Sequence, residues 1–180
     1  TADANTVVLD HFNNATTGEL HGTMEYVPSI CGLSNAADFK NSNWIRYGYN
    51  ANLSSAATVD FWIYPKAYSA PLVDINWNNT ATTYPGGGHV FHLDLNASGK
   101  IAMSQWGSGL GSLVSNASIP LNKWTHVVVS WGDSTSIYLN GRPDNATSAA
   151  FRPSANGNYS IYLPKWGTTN EVYIDEFHVS

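Results

Sequence analysis

The run from Leu121 to Gly141, L-N-K-W-T-H-V-V-V-S-W-G-D-S-T-S-I-Y-L-N-G, constrains the fold of this 180-residue chain more than any other stretch. Between Trp124 and Trp131, alternation puts Val127, Val129 and Trp131 on one face and Trp124, His126, Val128 and Ser130 on the other. That is the period of a half-buried strand. Gly132-Asp133-Ser134 then reads as a turn and Ser136 to Leu139 as the returning strand. Asn140-Gly141 closes it, a pair that tolerates the positive φ a tight hairpin needs.

The same reading extends along the chain. Strands are predicted near 6–12, 20–27, 36–40, 43–48, 57–64, 71–77, 89–95, 100–106, 112–115, 124–131, 136–140, 159–163 and 171–179. Pro85-Gly86-Gly87-Gly88, Ser98-Gly99, the run Gly107 to Gly111 and Asn156-Gly157 separate them. No window of helical length shows a 3.6-residue period. Many short strands between glycine-rich turns mean a sandwich, with the closing strand beside the opening one. One domain is expected over residues 1–180, an all-β fold large enough to bury a real core. Alternation sends Val59, Phe61, Ile63, Phe91, Leu93, Leu95, Ile137 and Leu139 inward. Asp60, Trp62, Tyr64, His92, Asp94, His126, Ser130 and Tyr138 then point outward.

The hairpin resembles the hallmark hairpin of laminin-G-like domains, the concanavalin A-like jelly rolls of lectins, pentraxins and carbohydrate-binding modules. Further matches follow in order. Ala36-Ala37-Asp38-Phe39 resembles the family's early A-x-x-F strand, and Thr58 to Pro65 (T-V-D-F-W-I-Y-P) its T-I-x-x-W-V-x-P strand. Val172 to Val179 (V-Y-I-D-E-F-H-V) resembles its closing I-D-E-V-R-I strand. The likeness covers nearly the whole chain and implies a two-sheet antiparallel jelly-roll sandwich. Such domains carry the tryptophan matching Trp62 and the W-x-H matching Trp124 and His126 whether or not sugar binds there, so Trp62, Trp124 and Trp131 are expected to pack. Trp44 is expected to be a packed strand residue too. The scaffold hosts binders, enzymes and adhesins alike, so function has to come from a site.

Composition narrows the setting. Only 12% of residues are charged and the net charge is -5. With no basic run, nucleic acid and anionic membrane surfaces are poor partners. No apolar run reaches the length of a membrane span, so no membrane insertion is expected. No secretory leader is legible, and the chain is expected to start as a mature protein or an excised domain does. N-x-S/T stands at Asn14, Asn52, Asn78, Asn96, Asn116, Asn145 and Asn158, mostly in expected loops where a glycan could be carried. A secreted or cell-surface protein fits these features. Cys31 is the one cysteine. Between Ile30 and Leu33 it is expected to be a buried thiol acting as a small hydrophobe.

A sugar site needs flat rings for C–H faces and carboxylate, amide or imidazole groups for hydroxyls. Trp77, Trp106 and Trp166 stand at strand ends beside Gly, Asn or Thr, where an indole is half exposed, and Tyr84 heads the Pro-Gly-Gly-Gly loop. Trp106 is the first choice of anchor, with the Gln105 amide beside it and the glycine run after it. His92 and Asp94 supply polar groups on one strand face. Against transition metals, His89 and His92 lie three apart on an extended strand and point to opposite faces.

In similar jelly rolls, laminarinase-type hydrolases among them, carboxylates placed like Asp10 and Asp175 often hold a structural Ca²⁺ together with backbone carbonyls. A hard cation of this kind takes six or more oxygen ligands. The bland alternative for each Asp is an exposed, hydrogen-bonded residue at a strand end. Catalysis is not expected. Laminarinase-like relatives carry E-x-D-x-x-E on one strand, whereas this chain has four Glu, at 19, 25, 171 and 176, and none in that array. Asp60 and Asp94 are the one pair that alternation would allow to face each other across a bond. The expected function is a non-catalytic, extracellular carbohydrate-binding module whose partner is a polysaccharide or glycan. The alternative is a structural or adhesive cell-surface or filament subunit, with structural calcium, that contacts other copies of itself or other surface proteins; a glycan-cleaving enzyme ranks behind both.

Overall fold

A computed structural model describes residues 5–49, 56–77, 89–104, 112–148, 159–164 and 170–180. Among them there are fifteen strands and no helix. In chain order the strands are β1 (Val8–Asp10), β2 (Glu19–His21), β3 (Glu25–Pro28), β4 (Asn35–Phe39), β5 (Trp44–Tyr49), β6 (Ala57–Pro65), β7 (Ala70–Trp77) and β8 (His89–Leu95). They continue as β9 (Ile101–Ser104), β10 (Leu113–Val114), β11 (Thr125–Trp131), β12 (Thr135–Leu139), β13 (Arg142–Thr147), β14 (Tyr159–Leu163) and β15 (Val172–Val179).

Two sheets, antiparallel throughout, pack face to face. The eight-stranded sheet runs β13-β12-β11-β6-β15-β4-β3, with β1 added beside β15, and the seven-stranded sheet runs β10-β9-β8-β7-β14-β5-β2. This is the expected jelly-roll sandwich, and the opening strand does lie against the closing one, with Asp10 opposite Phe177.

The core follows from the alternation. Along β6, Ala57, Val59, Phe61, Ile63 and Pro65 are buried while the residues between them are half-buried. β11 repeats the pattern with Val127, Val129 and Trp131 inward. Phe91 of one sheet meets Trp131 of the other at 5.0 Å between ring centroids, and Phe61 and Phe177 meet at 6.3 Å. Each fully buried ring contributes roughly 2–3 kcal/mol relative to exposure.

The Asn140-Gly141 hairpin forms as expected, with φ of 52° and 74° at its two central residues and Leu139 opposite Arg142. It is followed by β13, which the sequence reading omitted. R-P-D-N-A-T is polar and contains proline, a composition tolerated only at a sheet edge, and an edge is where it sits. The stretch 20–27, expected as one strand, divides at Gly22. There φ is +89°, and the chain crosses from the seven-stranded sheet (β2) to the eight-stranded one (β3). Cys31 also departs from expectation: it is exposed on the turn between Ser29 and Ser34.

Candidate functional site

Each sheet turns one face away from the core, and the outward face of the seven-stranded sheet carries a continuous polar row. Register puts Ser104 of β9 opposite His92 of β8, and His92 opposite Asp74 of β7. Asp74 in turn opposes Tyr162 of β14, Tyr162 opposes Arg46 of β5, and Arg46 opposes Glu19 of β2. Directly opposed residues share a face at about 5 Å between Cβ atoms, so six strands contribute one rung. The neighbouring inward rung is apolar, with Tyr47, Ile161, Ile75 and Phe91 in register.

The row has a buried centre and an accessible end. Asp74, His92 and Tyr162 are buried, and Nδ1 of His92 lies 2.6 Å from Oδ1 of Asp74. Burial pushes the Tyr162 phenol up, so it stays neutral. Two residues along β7, on the same face, Asn76 opposes Ser160. It is fully buried, and neither polar atom of its amide has a hydrogen-bond partner. Towards β2 the side chains open to solvent. Arg46 donates from Nε to Ser160 Oγ at 3.3 Å and from Nη1 to Glu19 Oε2 at 3.2 Å. Trp44, two residues before Arg46 and on the same face, is half-buried. The His21 ring stacks on it at 3.6 Å and 7°, and Tyr162 tilts against it at 5.6 Å.

Of the residues the sequence singled out, His92 belongs to this row, and Asp94 lies two residues further on the same strand, half-buried opposite Ala102 and Pro71. Trp77 ends β7 opposite Tyr159, and its backbone alone is described. Tyr84, Gln105, Trp106 and Trp166 lie outside the described residues. The row's remaining members were missed, although W-I-R-Y-G-Y and D-I-N show the alternation that places Trp44 with Arg46 and Asp74 with Asn76. Trp44 is a packed strand residue as expected, half-buried at the start of β5 against His21 and Tyr162. Asp60 and Asp94 do not face each other: one belongs to β6 and the other to β8, on outward faces of opposite sheets.

The outward face of the eight-stranded sheet is aromatic. Trp62 meets His126 at 5.0 Å, Tyr64 meets Trp124 at 5.4 Å, and Tyr64 stacks on Tyr173 at 5.4 Å and 11°. Lys66 Nζ stands 5.6 Å and 5.9 Å from the two tyrosine centroids. Of the tryptophans expected to pack, Trp62 packs on His126 and Trp124 on Tyr64, both half-buried, while Trp131 is buried in the core against Phe91. Asp60 sits between two histidines, 2.9 Å from His178 Nδ1 and 3.6 Å from His126 Nε2. Burial raises its carboxyl, but these two partners outweigh burial and hold it below the usual range.

Asp10 and Asp175 are both buried, not exposed at strand ends. Their oxygens differ. Phe12 N donates to Asp10 Oδ1, while Oδ2 accepts from the Thr16 hydroxyl at 2.5 Å, Thr17 N at 2.8 Å, the Thr17 hydroxyl at 3.2 Å and the Tyr47 hydroxyl at 2.8 Å. Five donors fill a carboxylate, which leaves little for a cation. On Asp175, Oδ1 accepts from Glu176 N at 2.9 Å while the buried Oδ2 has no partner. Burial, with the Glu176 charge adding to it, pushes this carboxyl up to about 6. Among the described residues no three His, Cys, Asp or Glu side chains converge as a metal cluster. Asp175 thus keeps one bare buried oxygen, whereas both oxygens of Asp10 accept hydrogen bonds.

The family model of the concanavalin A-like lectin/glucanases superfamily matches residues 39–180. The chain belongs to this superfamily. Solved structures agree on the fold. The binding domain of Botulinum Neurotoxin DC in complex with SialylT is 14% identical with a TM-score of 0.68, over 98% of this chain and 48% of that one. The same neurotoxin's binding domain in complex with rat synaptotagmin II is 13% identical with a TM-score of 0.68, over 97% and 48%. The Botulinum Neurotoxin Type G receptor binding domain is 12% identical with a TM-score of 0.63, over 98% and 47%. The concanavalin A-like chain thus spans about half the length of these structures. No curated protein matches it in sequence.

Proposed function

We propose that this concanavalin A-like chain is a non-catalytic carbohydrate-binding module whose ligand lies over the accessible end of the polar row. The observation that carries the reading is the conjunction of Trp44, Arg46 and Glu19 on one outward face, backed by the buried Tyr162–Asp74–His92 segment. The exposed part of the Trp44–His21 stack takes a sugar C–H face, while guanidinium and carboxylate take its hydroxyls. The buried partners fix these groups in advance, which lowers the entropy cost of binding. Relatives by fold support a binding role, because the solved domains above are described as binding domains, that of type G as receptor-binding, and one is in complex with SialylT. Absence of the E-x-D-x-x-E array from the sequence supports the lack of catalysis. Trp106, with Gln105, and Trp77, Trp166 and Tyr84 remain proposed additional contacts. An extracellular setting is part of the proposal, on the strength of the sequons and the low charge. So is a structural calcium, held by Asp175 with backbone carbonyls.

Immobilised-glycan screening followed by tryptophan fluorescence titration tests the proposal. Wild type should bind at least one glycan in the micromolar to millimolar range that a few such contacts support. Trp44→Ala should weaken binding about tenfold or more while circular dichroism stays unchanged. Blank arrays, or equal binding by the variant, would reject this site.

A second reading is favoured by one feature, the aromatic outward face of the eight-stranded sheet. Its Trp62, Tyr64, Trp124 and Tyr173 could contact other copies of the chain or other surface proteins, as an adhesive subunit would. Elution as an assembly that Tyr173→Glu disperses, with no response to sugars, would favour it.

A further inference from the structure

At the opposite flank of the sandwich from β2, a cleft of 510 Å³ opens between the segment 117–120 and the β12–β13 turn. We propose that this cleft is a second binding site, for a carboxylate-bearing sugar unit, and that Arg142 is the residue that recognises its charge.

Four features point there. Arg142 lines the cleft and is exposed, and no hydrogen bond or ion pair engages its guanidinium among the described residues. This sets it apart from Arg46, which is tied to Glu19 and Ser160. The acid in the cleft does not compete for it. Register runs from Tyr138↔Pro143 to Ile137↔Asn145 and skips Asp144, and a bulge of this kind re-aims a side chain. Asp144 Oδ2 accepts from Asn116 N at 2.5 Å and Oδ1 from Ala117 N at 3.0 Å, so its charge is spent on two backbone amides. The walls include Pro120, Leu139 and Pro143, with flat apolar surface for a sugar C–H face. Asn140 and Ser118 add polar groups: Asn140 Oδ1 accepts from His126 N, which leaves its amide N–H groups for a ligand, while the Ser118 hydroxyl donates to Ser98 O and can still accept.

The frame is rigid. The Asn140-Gly141 turn directly before Arg142 is pinned by Asn140 N donating to His126 O at 2.9 Å. Asn145 Nδ2 donates to Val114 O at 2.8 Å and ties the edge of one sheet to the edge of the other. A free guanidinium presented by a preorganised turn suits bidentate pairing with a carboxylate. The cleft volume lies within the usual range for small-ligand sites, about 300–1,000 Å³.

The test is a ¹H–¹⁵N titration of the whole chain with sodium glucuronate, glucose and inorganic phosphate, on wild type, Arg142→Gln and Trp44→Ala. Glucuronate should shift the Arg142 side-chain and Asn140 resonances in wild type and in Trp44→Ala. Glucose should shift them at least tenfold less strongly, and Arg142→Gln should lose the response while keeping the wild-type spectrum elsewhere. Because Trp44 lies in the other site, a retained response in Trp44→Ala keeps this proposal separate from the first. A response to phosphate as strong as to glucuronate would reduce the site to a general anion site and overturn the sugar-acid assignment. No shift with glucuronate, or the same shift in Arg142→Gln, would overturn the proposal outright.

Discussion

Nδ1 of His92 lies 2.6 Å from Oδ1 of Asp74 on adjacent strands, and both side chains are shut away from solvent on a face that points away from the core. A buried carboxylate and a buried imidazole each need the other. Removing one leaves a desolvated polar group without its partner, which is more costly than losing both. Asp74→Ala should therefore destabilise the chain by about 3 kcal/mol in urea unfolding. The double change Asp74→Ala/His92→Phe should cost less than the sum of the single changes. Strict additivity would show that the contact is incidental.

Asp10 organises the chain's opening strand. Its carboxylate collects donors from Phe12, Thr16, Thr17 and Tyr47, and so pins the loop after β1 to β5 of the opposite sheet. Asp10→Ala strands two buried donors, Phe12 N and the Tyr47 hydroxyl, and releases the Thr16 and Thr17 bonds as well, so it should cost about 3 kcal/mol or more, whereas Tyr47→Phe removes one bond and should cost about 1 kcal/mol. Equal effects in a denaturant titration would contradict this hierarchy.

Asp175 sets a pH dependence of definite sign. Its carboxyl titrates near about 6 when folded and near about 3.9 when unfolded. Between these values the folded state holds the extra proton, so stability falls as pH rises through the window. The favourable term is complete below the unfolded value and gone above the folded one. In calcium-free buffer, Asp175→Asn should match wild type near pH 4 and exceed it by about 2 kcal/mol near pH 7. Calcium added at pH 7 should raise the melting temperature of wild type by linkage and leave the variant unmoved. A variant gap that does not change between pH 4 and pH 7 would refute the titration. A wild type indifferent to calcium and EGTA would refute the ion.

Cys31 is exposed, and contacts with Ser29, the Leu33 backbone and Ser34 pull its thiol below the usual range. A lowered thiol holds more thiolate at neutral pH, the reactive form. Ellman's reagent should titrate one thiol per native chain within minutes. A thiol that reacts only in denaturant would show it buried.

The fold was largely written in the alternation of apolar residues. Val59, Phe61 and Ile63 face inward, as do Val127 and Val129, because a period of two leaves a strand no other way to bury them. What escaped notice lay where that period breaks or fades. In β15 the buried apolar residues are Val172, Ile174, Phe177 and Val179, and their phase jumps at Asp175-Glu176. There Glu176 takes a φ of 52° and the register with β6 shifts. That jump was a legible sign of a bulge. β13 could not be read because an edge strand needs no apolar residues. Of the polar row, the sequence singled out His92 alone. Its other members come from five further strands, and neither strand order nor register can be deduced from residues considered one strand at a time.

The choice between the two outward faces is settled most directly by a ¹H–¹⁵N titration of the chain with a glycan selected by array. Binding at the polar row should move the indole resonance of Trp44 and the side chain of Arg46, while the indoles of Trp62 and Trp124 stay in place. Shifts confined to Trp62 and Trp124, with Trp44 and Arg46 unmoved, would contradict it.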